Sequence, residues 1–267
     1  MSGFPSVAIV YTPWLSQAKL LAESLSERLP ADRNAAIFSL PELEKEPSAI
    51  QGFSLLISVG GDGTILRIIR MAAPYDVPLV GVNLGRVGFM TELAQPEALG
   101  RINQYVQGEG TWVEERAMLE ARVMPEEPRH EDDYSPYYGL NDVVIGRAAV
   151  ARLVQVDVRI DGYPLATYAA DAIIVATATG STGYNLSAGG PIMYPESPSL
   201  LLNPVSAQLS LNAAVILHPD AVVDLRVQQG HPALFSIDGA LDVDLAPGDT
   251  VRVKKSSYLA HFLRSGP

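Results

Sequence analysis

The sequence predicts an α/β domain with an open, mostly parallel sheet over residues 1–110, then an all-β, sandwich-like domain over 111–244. Two observations carry this. Before residue 110, short apolar runs alternate with stretches of helical periodicity, which implies parallel strands joined by right-handed crossovers. After it, strand-like runs follow one another across turns with no helical stretch between them. The segment 245–267 stands apart: its SSYLAHFL run either stays with the second domain or returns to complete the first, and the pattern does not decide.

Taken in order, SVAIVYT (6–12) reads as a buried strand. LSQAKLLAESLSER (15–28) places Leu15, Leu20, Leu21 and Leu25 near helical spacing. AAIFSL (35–40), SLLISV (54–59) and PLVGVNL (78–84) are further strands. A helix is expected after Thr64, with Ile65, Ile68 and Ile69 on its buried face and Arg67 and Arg70 elsewhere. PEALGRINQYVQG (96–108) is another helix, with Pro96 at its start. In the second half, VQVDVRIDG alternates Val154, Val156, Val158 and Ile160 against Gln155, Asp157 and Arg159, then ends in an Asp-Gly turn. ALDVDLAPGDTVRVKK is a strand, a turn and a strand.

Composition bounds the function. Hydrophobic residues make up 48% and charged residues 18%, as in an ordinary folded protein. The formal net charge of −11, with Lys and Arg scattered, argues against a nucleic-acid binder. The run from Glu126 to Asp133 reads as a solvated acidic loop. No apolar run is long enough to span a bilayer, and the start lacks a basic leader, so no membrane contact and a cytoplasmic setting are expected. Without cysteine there is no disulfide, thiolate nucleophile or Cys-ligated zinc. The histidines form no ligand cluster and G-x-S-x-G is absent, so no metal site and no serine hydrolase is expected.

Gly60-Gly61-Asp62-Gly63-Thr64, between a strand and a helix, is the feature that points to chemistry. Glycines let a backbone approach phosphate, and a helix N-terminus offers free N–H groups and partial positive charge. A carboxylate there repels phosphate, so Asp62 either caps the helix or serves another purpose; Thr64 as the cap would leave Asp62 free. Neither a Walker motif nor G-x-G-x-x-G is present. Further on, Thr179-Gly180-Ser181-Thr182-Gly183-Tyr184 suits a ligand site, with hydroxyls for hydrogen bonds and a flat ring for a base, or else is a small-residue turn with a core tyrosine. Asn141 and Asp142 could bind the paired hydroxyls of a ribose or simply begin a strand. Asp171, after Ala169-Ala170, would be a buried carboxylate needing a partner.

Gly-Gly-Asp-Gly-Thr after a strand resembles the superfamily that joins NAD kinases, lipid kinases and phosphofructokinases. GVNLGRVGFMTEL (81–93), LNDVVIG (140–146), DAIIVATATGSTGYNLSAGGPIMYP (171–195) and FSIDGA (235–240) are similar, in order, to the segments of NAD kinases. That resemblance implies transfer of the terminal phosphoryl group of ATP, or of polyphosphate, to the 2′-hydroxyl of the adenosine ribose of NAD, giving NADP. Mg²⁺ or another divalent cation would accompany ATP. Asp62 would be the base, beside Gly61, Gly63 and Thr64. Asn141, Asp142, Asp171, Thr182, Gly183, Tyr184, Asn185, Leu186, Ser187 and Ala240 would line the NAD pocket, which in this family a neighbouring subunit completes, implying a homodimer or homotetramer. Arg67 and Arg152 stand where the family has NAD contacts; a surface arginine is the other reading of each.

The chain departs from the family at Asp142 for Glu, Ala172 for Gly, Ala178 for Pro, Gly183 for Ala and Ala240 for Gln. Ser206-Ala207 and Asn212-Ala213 replace its Pro-His and Arg-Pro. Two other readings therefore stand beside the NAD kinase: a catalytically weak NAD- or NADP-binding module, and a lipid or small-alcohol kinase of the same superfamily.

Overall fold

The structure, a computed structural model, describes residues 3–85, 88–127, 135–149, 152–208, 213–228 and 232–266. Residues 128–133 of the acidic run, and Asn212, lie outside the described residues. The chain forms two units, one of Met1–Glu115 with Tyr258–Pro267 and one of Arg116–Ser257.

The first unit runs β1 (Ser6–Tyr11), α1 (Ala18–Arg28), β2 (Asn34–Ser39), α2 (Leu40–Lys45), β3 (Leu55–Val59), α3 (Asp62–Ala72), β4 (Leu79–Asn83), β5 (Leu93–Ala94) and α4 (Gln95–Gln107). Its strands lie in the order β4-β3-β1-β2, all parallel, with β5 also parallel to β4. Central strands that are covered on both faces should be continuously apolar. LLISV of β3 and LVGVN of β4 are accordingly buried at every position. Helices α1 and α4 cover one face: Leu21, Leu25, Ile102, Tyr105 and Val106 pack against Val7, Ile9, Ile57 and Val82.

Two local readings change. The buried stripe of α1 is Ala18, Leu21, Ala22 and Leu25, while Leu15 and Leu20 are 45% and 64% exposed. Helix α1 begins only at Ala18, so Leu15 falls before the helix, and Leu20 lies one position off the stripe. The helix α2 was not expected, yet it carries a capping box: Glu42 accepts from the Ser39 backbone N–H and from its hydroxyl, each at 2.8 Å.

The second unit follows β6 (Trp112–Met124), β7 (Tyr137–Gly139), β8 (Asp142–Arg147), β9 (Val154–Ile160), β10 (Tyr163–Ala170), β11 (Ala172–Ala176), the short α5 (Tyr184–Ser187), β12 (Leu200–Val205), β13 (Val215–Leu217), β14 (Val223–Val227), β15 (Ala233–Ile237), β16 (Leu241–Leu245) and β17 (Thr250–Arg264). One sheet has the order β13-β12-β11-β8-β15-β16, antiparallel throughout. The other pairs β10 with β9, β9 with β14, and β14 with the first residues of β17. Val154, Val156, Val158 and Tyr168 of the second sheet meet Ile145, Ile173, Val175 and Phe235 of the first in one apolar core, which makes this unit a sandwich. The Asp161-Gly162 turn of the β9–β10 hairpin has φ of 52° and 81°, as a two-residue hairpin turn requires. At its far end β17 enters the first unit, where Phe262 registers in parallel with Leu79 of β4.

The contrast along α1 is testable. Leu21→Ala should cost about 2–5 kcal/mol of unfolding free energy. Leu20→Ala should stay within about 0.5 kcal/mol of wild type in the same denaturant titration.

Candidate functional site

In the first unit the strand order reverses between β1 and β3, because β2 is added on one side of β1 and β3 on the other. In open α/β sheets the crevice at the carboxyl ends of such a strand pair is where ligands bind. The carboxyl ends here are Tyr11–Trp14 and Val59–Asp62, held together by the Thr12 N–H donating to the Val59 carbonyl at 3.1 Å. The Gly-Gly-Asp-Gly-Thr turn therefore sits where the topology puts a site.

Helix α3 starts at Asp62, with Gly61 as its N-cap and no side-chain cap. Neither Asp62 nor Thr64 caps it. The Asp62 carboxylate turns instead to the loop after β4, accepting from the Phe89 N–H at 3.0 Å and from the Met90 N–H at 3.3 Å. Gly88 lies so close beneath that carboxylate that any side chain on it would overlap. The loop is fixed by its own bonds: Gly88 N–H to Thr91 Oγ1 at 2.9 Å, and Gly85 N–H to Asn83 Oδ1 at 2.8 Å.

The glycines of the turn divide by purpose. A Cβ on Gly60 would come within 2.8 Å of the Thr64 Cβ, so packing requires that glycine. A Cβ on Gly61 or Gly63 would meet nothing within 4 Å, and Gly61 has an ordinary φ of −98°. The fold does not need these two glycines. What they leave is open backbone at a helix N-terminus, the surface that a phosphate approaches.

Arg67 makes a bidentate pair with Glu44, both contacts at 2.6 Å, and lies 4.9 Å from the centre of the Trp14 ring. Its guanidinium braces an exposed tryptophan at the crevice.

In the second unit, Asn141, Asp142, Val144, Tyr184, Ser236, Asp238 and Gly239 line a cleft of about 390 Å³. Asp238, in a left-handed conformation with φ of 51°, organises it. Its carboxylate accepts from the N–H groups of Leu140 at 2.9 Å, Asn141 at 2.7 Å and Asp142 at 3.2 Å. Asp142 is buried, and burial first, then the charge of Asp238, pushes its carboxyl up to about 7. The Asn141 Oδ1 and the nearby loop's Thr179 Oγ1 are buried with no partner, which in a native fold calls for an explanation such as a ligand or water.

The loop from Thr177 to Pro191 is built rigidly. The Thr177 hydroxyl donates to the Leu140 carbonyl at 2.6 Å and accepts from the Gly180 N–H at 3.1 Å. Gly180 has no room for a Cβ against the Asn141 carbonyl. The Thr182 hydroxyl donates back to the Thr179 carbonyl at 3.1 Å. Asn185 is fully buried: its amide donates to the carbonyls of Ser181 and Pro191, and its oxygen accepts from Asn203 at 2.9 Å. Its side chain shapes the loop and faces no open space. A Cβ on Gly183, where the family has Ala, would lie 3.3 Å from the Gly180 carbonyl oxygen and 3.8 Å from Asp142 Oδ2, so the exchange is mild.

The expected site residues are thus unevenly gathered. Asn141, Asp142 and Tyr184 share the cleft; Gly183 adjoins Asp142, and Leu186 and Ser187 are exposed on the same loop. Ala240 is exposed in the turn after Asp238, and Asp171 pairs with Arg147 at 3.2 Å. Arg152 is exposed and is not among the residues that line the cleft. Residue reasoning missed Asp238 and Ser236, although FSIDGA contains both; an Asp-Gly pair after a strand reads locally as an ordinary turn. Among the described residues no group of three His, Cys, Asp or Glu side chains could hold a metal ion.

Known proteins resemble this chain along its length. Residues 16–110 match the ATP-NAD kinase N-terminal domain, and residues 140–265 match the ATP-NAD kinase C-terminal domain. A NAD kinase of Dehalococcoides mccartyi is 38% identical over 266 residues, covering 99% of this chain and 92% of the relative. One from Chloroflexus aurantiacus is 39% identical over 267 residues, covering 98% and 93%. An Archaeoglobus fulgidus NAD kinase in complex with ATP superposes with a TM-score of 0.75 at 27% identity, over 96% of this chain and 92% of that one. A yeast NADH kinase complexed with NADH shares the fold, with a TM-score of 0.84 at 22% identity over 100% and 85%.

Two outcomes test the site. Gly63→Ala should raise stability by up to about 1 kcal/mol, since Ala suits a helix better than Gly. It should nonetheless lower turnover, because the methyl group fills the open backbone surface. For Asp142 the folded chain keeps a proton that the unfolded chain releases between 3.8 and about 7, so its contribution to stability falls as pH rises through that window. The melting temperature of Asp142→Asn should therefore gain on wild type as pH rises from about 4 to about 8.

Proposed function

The chain belongs to the NAD kinase family and is an NAD kinase, and on that premise we propose how its residues divide the reaction. Asp62 is the base for the 2′-hydroxyl of the adenosine ribose of NAD. The open backbone at Gly61 and Gly63, next to Thr64, receives the phosphates of ATP. The observation that supports this most directly is a carboxylate held at a helix N-terminus by two amides, beside glycines that the fold itself does not require.

A carboxylate is much too weak a base to ionise a sugar hydroxyl beforehand. The proton therefore passes to Asp62 while the hydroxyl oxygen bonds to the terminal phosphorus, the bond to the bridging oxygen breaks, and ADP leaves. The two amides keep the carboxylate aimed. Mg²⁺ would come with the triphosphate, neutralising its charge, held mostly by phosphate oxygens and water with a carboxylate such as Asp62 in reach.

In the second unit, Asn141, Asp142 and Tyr184 receive NAD in the cleft, supported by the orphaned Asn141 Oδ1 and the exposed ring of Tyr184. Gly183, Leu186 and Ser187 flank it, and Thr182 and Asn185 set the loop's shape. Asp171, Ala240 and Arg152 are outer contacts, and Arg67 serves through Trp14. The protein acts as a homo-oligomer, a reading supported by Leu186, Ile192 and Tyr194, whose apolar side chains are 42%, 65% and 73% exposed around this loop.

Incubating the purified protein with NAD, Mg²⁺ and ATP should yield NADP. Asp62→Asn should lower turnover by about 10²-fold or more in a chain that still folds, with the melting temperature a few degrees lower because one of the two amides loses its acceptor. Near-normal turnover in that variant would remove the base assignment. Replacing ATP by polyphosphate, and NAD by NADH, in the same assay reads donor and acceptor preference.

A further inference from the structure

Arg264, at the end of β17, is 9% exposed and spends its guanidinium in three directions. Its Nε donates to Glu114 Oε2 at 2.7 Å, and its Nη1 donates to Glu92 Oε2 and to the Met90 carbonyl, each at 3.1 Å. Met90 is the residue whose N–H binds Asp62. One residue thus faces the carboxylate with its amide and the arginine with its carbonyl. Glu92, two residues after Met90, and Ser265, directly after Arg264, are stapled as well. Glu92 Oε1 accepts from the Ser265 N–H at 3.0 Å and from the Tyr105 hydroxyl at 2.9 Å, and Arg101 donates to Ser265 Oγ at 2.7 Å.

The geometry points to Arg264 as a positioning residue for Asp62, acting through the Met90 backbone. A guanidinium suits this because its fork can serve two carboxylates and a carbonyl from one fixed plane, which an ammonium cannot. The carboxylates supply charge balance for a buried cation. The bond to the Met90 carbonyl does something else: it fixes the loop whose amides aim the base. This inference rests on the reading of Asp62 as the base.

Arg264→Lys separates the two contributions, since it keeps the positive charge between Glu92 and Glu114 but loses the fork. Its kcat should fall about 10-fold or more, as displacing a reacting group by a fraction of an ångström does. KM for NAD and for ATP should stay within about 3-fold, and the melting temperature within a few degrees. Hydrogen exchange at the Phe89 and Met90 amides should quicken. A purely structural arginine predicts instead that the lysine variant retains kcat. Wild-type kcat in Arg264→Lys, or a fall in kcat with unchanged exchange at Met90, overturns the inference. Arg264→Ala provides the second arm: millimolar guanidinium should restore part of its turnover and slow the Met90 exchange, and failure of both in folded protein counts against the relay. Asp62→Asn, assayed in parallel, keeps the two readings apart. Full activity there removes the base, whereas an inactive Asp62→Asn beside a fully active Arg264→Lys removes only the relay.

Discussion

The constraint on which the first unit's site depends is the pair of hydrogen bonds from the Phe89 and Met90 amides to the Asp62 carboxylate. A carboxylate at a helix start would ordinarily bind its own helix's free N–H groups. Here the carboxylate is drawn away, which leaves those groups for another anion. That single choice resolves the conflict of an acid placed where phosphate is expected. It also explains Gly88, whose missing side chain is the space the carboxylate fills, and the bonds that tether Gly85 and Gly88 to Asn83 and Thr91.

Much of this was legible in the sequence. The alternation of apolar runs with helical stretches gave the parallel sheet, because strands covered on both faces must be apolar throughout. The isoleucines of α3 fall on its buried face as their spacing demands, and Val154, Val156 and Val158 point inward as alternation requires. The misses at Asp238 and Arg264 share one cause: local pattern cannot register a partner that is distant in the chain. Leu20 looked like core because it is apolar and near the right spacing, yet it falls one position off the buried stripe of α1. Asp238 read as a turn, because its three amide partners lie about a hundred positions earlier. Arg264 showed no signal, since a basic residue after an apolar run is ordinary, and its carboxylate partners stand 150 and 172 positions away. By contrast α2 did carry a signature, Ser39-x-x-Glu42, which the strand reading of AAIFSL absorbed.

The second unit solves a different problem. Its cleft holds two carboxylates that disfavour each other's charge, and the fold assigns them different tasks. Asp238 remains engaged with three amides and shapes the turn, while Asp142 is left buried with its carboxyl raised toward neutrality. The side chains of Thr177, Ser181 and Asn185 build a stiff loop through their own hydrogen bonds. Left without protein partners are the buried oxygens of Asn141 and Thr179, beside the acid of Asp142 and the exposed ring of Tyr184. Such stiffness lowers the entropic cost of binding, because little needs ordering when the ligand arrives.

The return of β17 to the first unit has a consequence in time. A ribosome delivers residues 3–115 first, then the entire sandwich, and only afterwards the residues that pair with β4 and hold Met90. At ordinary rates of synthesis that interval is on the order of ten seconds. During it the parallel sheet has its glycine turn and its acid, but lacks the strand end that sets the loop opposite. Until then the Met90 carbonyl lacks its bond from Arg264, and the loop facing the Asp62 carboxylate is held by its own bonds alone. A chain cut short before Phe262 would keep most of both cores and lose the Phe262–Leu79 pairing and every Arg264 contact to the loop.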